Sequence, residues 1–234
     1  MFICLKRYLY QMRVAALFSG GKDSAFAIYI AQQYGWDVTY LVSLYPENQD
    51  SWMFHSINIH LTEQLADCLR IPLVKKTTEG EKEIELADLE TLLQSLAIDG
   101  VISGAIASEY QRTRIEKIGH NLGIKTFTPL WHKNQELLLR DQVNAGFKSI
   151  IVGVFAEGFD ETWLGRLIDE DTIDDLVSLH EKHGINIAGE GGEFETLVLD
   201  GPIFTKRLVI DEFKRQWNRD NGTYHVHQAH LEKH

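Results

Sequence analysis

Short apolar runs alternate with stretches whose apolar positions recur at helical spacing over the first two thirds of the chain. Arg13 to Phe18 (RVAALF) is an apolar run that ends in SGGKDS and passes into AFAIYIAQQY. That order predicts strand, Gly-rich turn, helix. Asp37 to Tyr45 predicts a buried strand. Ile57, Leu61, Leu65, Cys68 and Leu69 share one helical stripe that Ile71-Pro72 stops. A short strand around Leu73 and Val74, a charged helix from Glu81 to Leu96 and an apolar strand from Gly100 to Ile106 follow. Next come a helix from Tyr110 to Leu122, a strand from Ile124 to Phe127, a helix from Gln135 to Asn144, and Lys148 to Phe155 as the last strand of the series. Beyond Phe155 the pattern breaks into an acidic, turn-rich stretch, a helix near Ile173 to His183, the loop GEGGEFET and an alternating apolar/polar tail.

Strands and helices that alternate through short loops predict an α/β fold, with a parallel sheet covered by helices on both faces. Ligands of such sheets collect at the carboxyl ends of the strands, and the Gly-bearing ends at Ser19 and Gly104 fall there. The expected organisation is a first domain over residues 12–128 and a smaller C-terminal α+β region over 129–234. Residues 1–11 form a leader outside the pattern, with Met12 a candidate true start.

The 234 residues are 44% hydrophobic, ample for a packed core. No stretch approaches the roughly 18 unbroken apolar residues of a membrane helix, and MFICLKRYLYQ is broken by Lys6 and Arg7, so a cytoplasmic protein is expected. Cys4 and Cys68 form no CxxC pair, which fits a reducing compartment. The net charge of −11 is local: residues 1–156, 157–200 and 201–234 sum to −2, −11 and +2. An acidic chain without a basic patch is poorly suited to a phosphate backbone, and no direct nucleic-acid partner is expected.

A Gly-rich turn between a buried strand and a helix aims backbone N–H groups at one point, where the helix N-terminus adds positive potential. Gly20 and Gly21 let an oxyanion approach, Lys22 supplies a charge, and Ser19 and Ser24 supply hydroxyls. Asp23 suits such a place if it caps the helix or holds Mg²⁺. The letters exclude GxxxxGK[ST] and GxGxxG. What remains resembles the PP-loop, SGGxDS, of N-type ATP pyrophosphatases, which split ATP between the α and β phosphates.

Two further constellations carry chemistry. SGAIASEYQ (Ser103 to Gln111) repeats the strand-to-helix geometry: Gly104 lets a nucleotide pass close, and Ser108 and Gln111 offer hydrogen bonds. Arg114, three residues on from Gln111, either meets a phosphate or carboxylate or belongs to a solvated surface helix with Arg112 and Glu116. In Glu190-Gly191-Gly192-Glu193-Phe194-Glu195-Thr196, three carboxylates on a Gly-rich loop repel one another unless Mg²⁺, a cationic substrate group or solvent separates them. Trp163 and Arg166 mix an aromatic with charge upstream, as a helix edge would also do. His180 and His183 lack HExxH spacing, and His225, His227 and His230 read as exposed imidazoles on one strand face.

SGGKDS, MFHSINIHLTEQLAD, GAIASEYQRTRIE, TPLW, DETWLGR and GEGGEFETLVLDGP occur in this order, and together they resemble the archaeal-type diphthine–ammonia ligase family from Arg13 to about Asp211. The resemblance implies an adenine nucleotide α-hydrolase (HUP) type domain. It implies that ATP and Mg²⁺ serve the amidation of diphthine on translation elongation factor 2 by ammonium, through an acyl adenylate, with release of AMP and pyrophosphate. By position it implies nucleotide contacts at Ser19, Gly20, Gly21, Lys22, Asp23, Ser24, Ser43, Gly104, Ser108, Gln111 and Arg114. It also implies substrate contacts at Trp163, Arg166, Glu190, Gly191, Gly192, Phe194 and Thr196, catalysis by Lys22 with Glu193 or Glu195, and Asp23 as metal ligand. A homodimer stays open. The rival readings are a tRNA-modifying PP-loop enzyme, disfavoured by the missing cysteine pair and basic surface, and a nucleotide-binding protein that never turns over.

Overall fold

The computed structural model describes residues 11–46, 57–78 and 82–234. The leader with Cys4, the MFHS start of the second motif and Glu81 lie outside the described residues. A five-stranded parallel sheet has the order β3-β2-β1-β4-β5. Its strands are β1 (Arg13–Leu17), β2 (Asp37–Pro46), β3 (Leu73–Thr78), β4 (Gly100–Ile102) and β5 (Lys125–Phe127). Helices α1 (Lys22–Gln33), α2 (Thr62–Leu69), α3 (Lys82–Gln94) and α4 (Glu109–Leu122) supply the crossovers. The strands are apolar on both faces because both are covered. Val42, Leu44, Val101, Leu89, Leu93, Ile115 and Ile118 pack together on the α3/α4 side. Val14, Ala16, Leu41, Ile28 and Leu65 pack on the other, and that core runs on without a break into the C-terminal part.

The C-terminal part is built on a four-stranded sheet of order β7-β6-β9-β8. It comprises β6 (Lys148–Val154), β7 (Phe194–Asp200), β8 (Lys206–Asn218) and β9 (Asn221–Lys233), with α5 (Gln135–Asn144) and α6 (Glu170–His183) packed together beside it. Lys148–Val154 is therefore not the last strand of the parallel series. It pairs antiparallel with β7 and β9. The expectation failed because a continuous apolar run reports burial on both faces, which Ile150, Ile151, Val152 and Val154 do have, and says nothing about the pairing partner. The alternating tail is a hairpin, β8 on β9, turning at Arg219 and Asp220. The register shifts around Glu212 move the core-facing positions of β9 from Tyr224 and Val226 to Ala229 and Leu231, so His225 and His230 both fall opposite the core face although they are five residues apart. Among the described residues no helix is long and apolar enough to cross a membrane.

β7 is the strand that positions the site. The Val198 N–H donates to the Gly20 carbonyl at 2.9 Å, and the Lys22 N–H donates to Thr196 Oγ1 at 3.2 Å. The turn after β1 is thus clamped by the second sheet.

Candidate active site

The chain leaves β1 at Leu17 and turns through Ser19, Gly20 and Gly21 into α1. Gly20 takes φ +81°, a conformation that favours glycine, with the Leu65 side chain only 3.1 Å from where a Cβ would stand. Inside the turn the Gly21 N–H donates to Ser19 Oγ at 3.3 Å and the Ser24 hydroxyl to the Gly21 carbonyl at 3.0 Å. The Lys22 side chain is only 4% exposed. Its ammonium donates to Asp23 Oδ2 at 2.6 Å and to the Ala188 carbonyl at 2.7 Å, 5.6 Å from the Phe194 ring centre. Burial of a charge this deep demands such partners, and the third proton remains available to a ligand.

Two adjoining clefts open over this turn. One, enclosing about 700 Å³, is lined by Leu17, Phe18, Ser19, Asp23, Ser24, Ser103, Gly104, Ala105, Gln111, Ile115 and Glu190. The other, about 610 Å³, adds Gly21, Lys22, Ala188, Gly189, Phe194, Glu195 and Thr196. The first is apolar at the Ile115 end, and the second gathers the charged groups. They share Ser19, Asp23, Ser24, Gln111 and Glu190.

The SGAIASEYQ turn is joined to the acidic loop. Glu190 Oε1 accepts the N–H groups of Ile106, Ala107 and Ser108 at 2.9, 3.0 and 3.1 Å. Ser108 caps α4 by accepting the Gln111 N–H. Glu193 is folded back on its own loop, with Oε1 accepting the Asn186 N–H at 3.0 Å. Two motifs 82 residues apart in sequence therefore form one structure.

Family comparison separates this arrangement from other Gly-rich nucleotide folds. The model of the diphthamide synthase N-terminal domain matches residues 12–126, and that of the C-terminal domain matches residues 134–231. The human diphthine–ammonia ligase is 34% identical over 223 residues, covering 86% of this chain and 83% of its own length. The mouse protein of that name is 36% identical over 224 residues with the same coverages. The fission yeast (Schizosaccharomyces pombe) ligase is 36% identical over 221 residues, 86% of this chain but only 36% of the longer yeast protein. The chain belongs to the diphthine–ammonia ligase family.

Within this ligase-family fold, several residues expected at the ligand make their described contacts inside the protein. The Ser43 hydroxyl is buried, 1% exposed, and donates to the Phe18 carbonyl, tying β2 to the exit of β1. At Gly104 a Cβ would meet Asp23 C at 2.8 Å and Ser24 N at 2.9 Å, so the glycine admits the first turn of α1 as well as bordering the cleft. The Arg114 guanidinium lies 3.4 Å from the Tyr110 ring centre and donates to the Tyr110 carbonyl, outside the cleft lining. Trp163 is 7% exposed, edge-on to Phe159 at 5.0 Å, with Arg166 over its other side and ion-paired to Asp175 at 2.5 Å. Neither Trp163 nor Arg166 lines a cleft, because core packing and ion pairing absorb them. Gly191, Gly192 and Glu193 likewise border neither cleft.

The acidic block also divides. Asp160 and Asp169 cap helical turns, Arg140 gathers Glu136, Glu170 and Asp174, and only Glu190 and Glu195 of the block reach the clefts. Two polar residues were missed. Gln142, 3% exposed on α5, donates to Asp23 Oδ1 at 2.9 Å, and Asn186 Oδ1 accepts the N–H groups of Ala188 and Glu190. An Asn before Gly-rich turns is the sequence signal for the second; a polar residue amid the apolar stripe of α5 is the signal for the first.

Proposed function

We propose that the chain amidates the carboxylate of diphthine on translation elongation factor 2 with ammonium and ATP, in the cytoplasm. The single observation that carries this reading is the clamped SGGKDS turn, facing one continuous pair of clefts with the EGGEFET loop. The apolar end of the first cleft, at Leu17, Ala105 and Ile115, suits a nucleobase, with Gln111 a candidate polar contact. Ser19, Gly21, Lys22 and Ser24 suit the triphosphate.

Ammonia cannot displace oxide from a carboxylate, so the carboxylate must first be activated. A carboxylate oxygen attacks the α-phosphorus, the bond to pyrophosphate breaks, and an acyl adenylate forms. Nitrogen then attacks the acyl carbon, AMP departs with its electron pair, and the nitrogen loses a proton. Lys22 and the turn N–H groups neutralise charge on the leaving pyrophosphate. Glu195, on the cleft wall with Lys22, fits the base that takes that proton better than Glu193, which borders neither cleft. The face of Phe194 suits the trimethylammonium of diphthine.

Mg²⁺ would supply further charge neutralisation, and Asp23 is the carboxylate at the turn that would hold it, in exchange for its hydrogen bonds from Lys22 and Gln142. Among the described residues no group of three side chains that could hold a metal by itself exists. With Cys68 buried in the core, no thiol serves as a glutaminase nucleophile among the described residues. Incubation of diphthine-bearing elongation factor 2 with the protein, ATP and ammonium should give the acid-to-amide mass change together with AMP and pyrophosphate. No mass change under any condition overturns the reading. A protein that shifts tRNA in a gel at physiological salt would favour the tRNA alternative.

A further inference from the structure

The loop between α6 and β7 is fastened to the nucleotide domain at two points that use opposite charges. Its Ala188 carbonyl accepts a hydrogen bond from the buried Lys22 ammonium. Two residues on, the Glu190 carboxylate enters a concave set of three successive N–H groups at Ile106, Ala107 and Ser108. Such a nest ahead of a helix N-terminus is a strong anion holder, and here the anion comes from the chain itself, more than eighty residues away in sequence. Asn186 braces the stretch by accepting the N–H groups of both Ala188 and Glu190.

A carboxylate that accepts three N–H groups on one oxygen has little left to offer a cationic substrate through that oxygen. Its position gives it another use. Glu190 borders the cleft with Ala105 and Ile115 and also the cleft with Phe194 and Glu195. With Ser19, Asp23, Ser24 and Gln111 it forms the partition shared by the place that suits the nucleobase and the place that suits the triphosphate and the acceptor.

We infer that Glu190 is a positioning residue that fixes this partition, holding the acyl carbon and the incoming nitrogen in line and keeping water out. The inference rests on the amide-forming reading above. Without the anchor the partition loosens and water attacks the acyl carbon in place of ammonia. The acyl–oxygen bond to AMP breaks, the carboxylate is regenerated, and ATP and water leave as AMP and pyrophosphate with no amide made.

The test measures AMP and amide side by side for the wild type, E190Q and E190A, with hydrogen exchange of the 106–108 amides in each. In the wild type AMP and amide form in equal amounts and those amides are protected. In E190A the ratio of AMP to amide should rise about tenfold, the factor carried by one charge-assisted hydrogen bond, and the three amides should lose protection. E190Q, whose amide oxygen still accepts weakly, should lie between, and it carries the test if E190A does not fold. If both variants keep equal AMP and amide while KM for the elongation factor rises, Glu190 touches substrate and the inference falls. It falls also if the three amides exchange at the wild-type rate in E190A. A wild type that makes no amide at all overturns the functional reading itself, an outcome separate from either of these.

Discussion

Lys22 is held by two partners inside the protein, so its replacement acts on the ligand and on the site. Lys22→Ala should remove about 1.5–3 kcal/mol of charged contact with phosphate and leave Asp23 without its ion partner; pyrophosphate release at saturating ATP should fall accordingly, and turnover at the wild-type rate would take Lys22 out of the mechanism. Gly104→Ala drives a Cβ into the backbone of Asp23 and Ser24. A cost of about 1–3 kcal/mol in denaturant unfolding, with weakened ATP binding, is expected, and a neutral substitution would show that the first turn of α1 can retreat. The Cys68 thiol is pushed up to about 11, chiefly by burial, with Lys206 opposing. At pH 8 only roughly one part in a thousand is thiolate, so peptide mapping after alkylation of the native protein should find Cys68 unmodified until the fold opens. At this scale the SGGKDS turn was legible because its residue types belong to one chemistry. The contacts of Ser43, Arg114 and Trp163 within the scaffold were not, because a hydroxyl, a guanidinium or an indole near a site serves the scaffold as readily as a ligand, and only packing shows the former.

Helices were legible through caps and stripes, and strands through apolar runs, but a run does not name its neighbour. That is why β6 was assigned to the wrong sheet while its bounds were nearly right. The acidic helix α6 illustrates what the sequence could not apportion: Asp169 serves as its N-cap and Arg140 gathers Glu170 and Asp174. The Thr172 N–H holds the Asp169 carboxyl below its ordinary 3.8. A depressed carboxylate stabilises the fold fully above that ordinary value and ceases to do so as pH falls through the lower folded value. Asp169→Ala should therefore lower stability by about 1 kcal/mol at pH 7, and the difference from wild type should shrink below about pH 4. An undiminished difference at pH 2 would show that the cap acts through something other than its charge.

For the whole molecule, the two sheets share one hydrophobic core and one loop geometry. The Val198–Gly20 and Thr196–Lys22 hydrogen bonds come from β7, beyond the 12–128 boundary expected from sequence. A fragment of residues 12–128 retains every letter of SGGKDS and lacks both bonds. It should bind ATP at least about tenfold more weakly than the full chain, the worth of one such bond or two, as calorimetric titration would measure; equal affinity would show the turn to be self-supporting.

The same dependence has a temporal side. The Lys22 turn is synthesised 174 residues before the Thr196 strand that clamps it, so a ribosome-bound nascent chain carries the letters of the turn long before it carries the clamped shape.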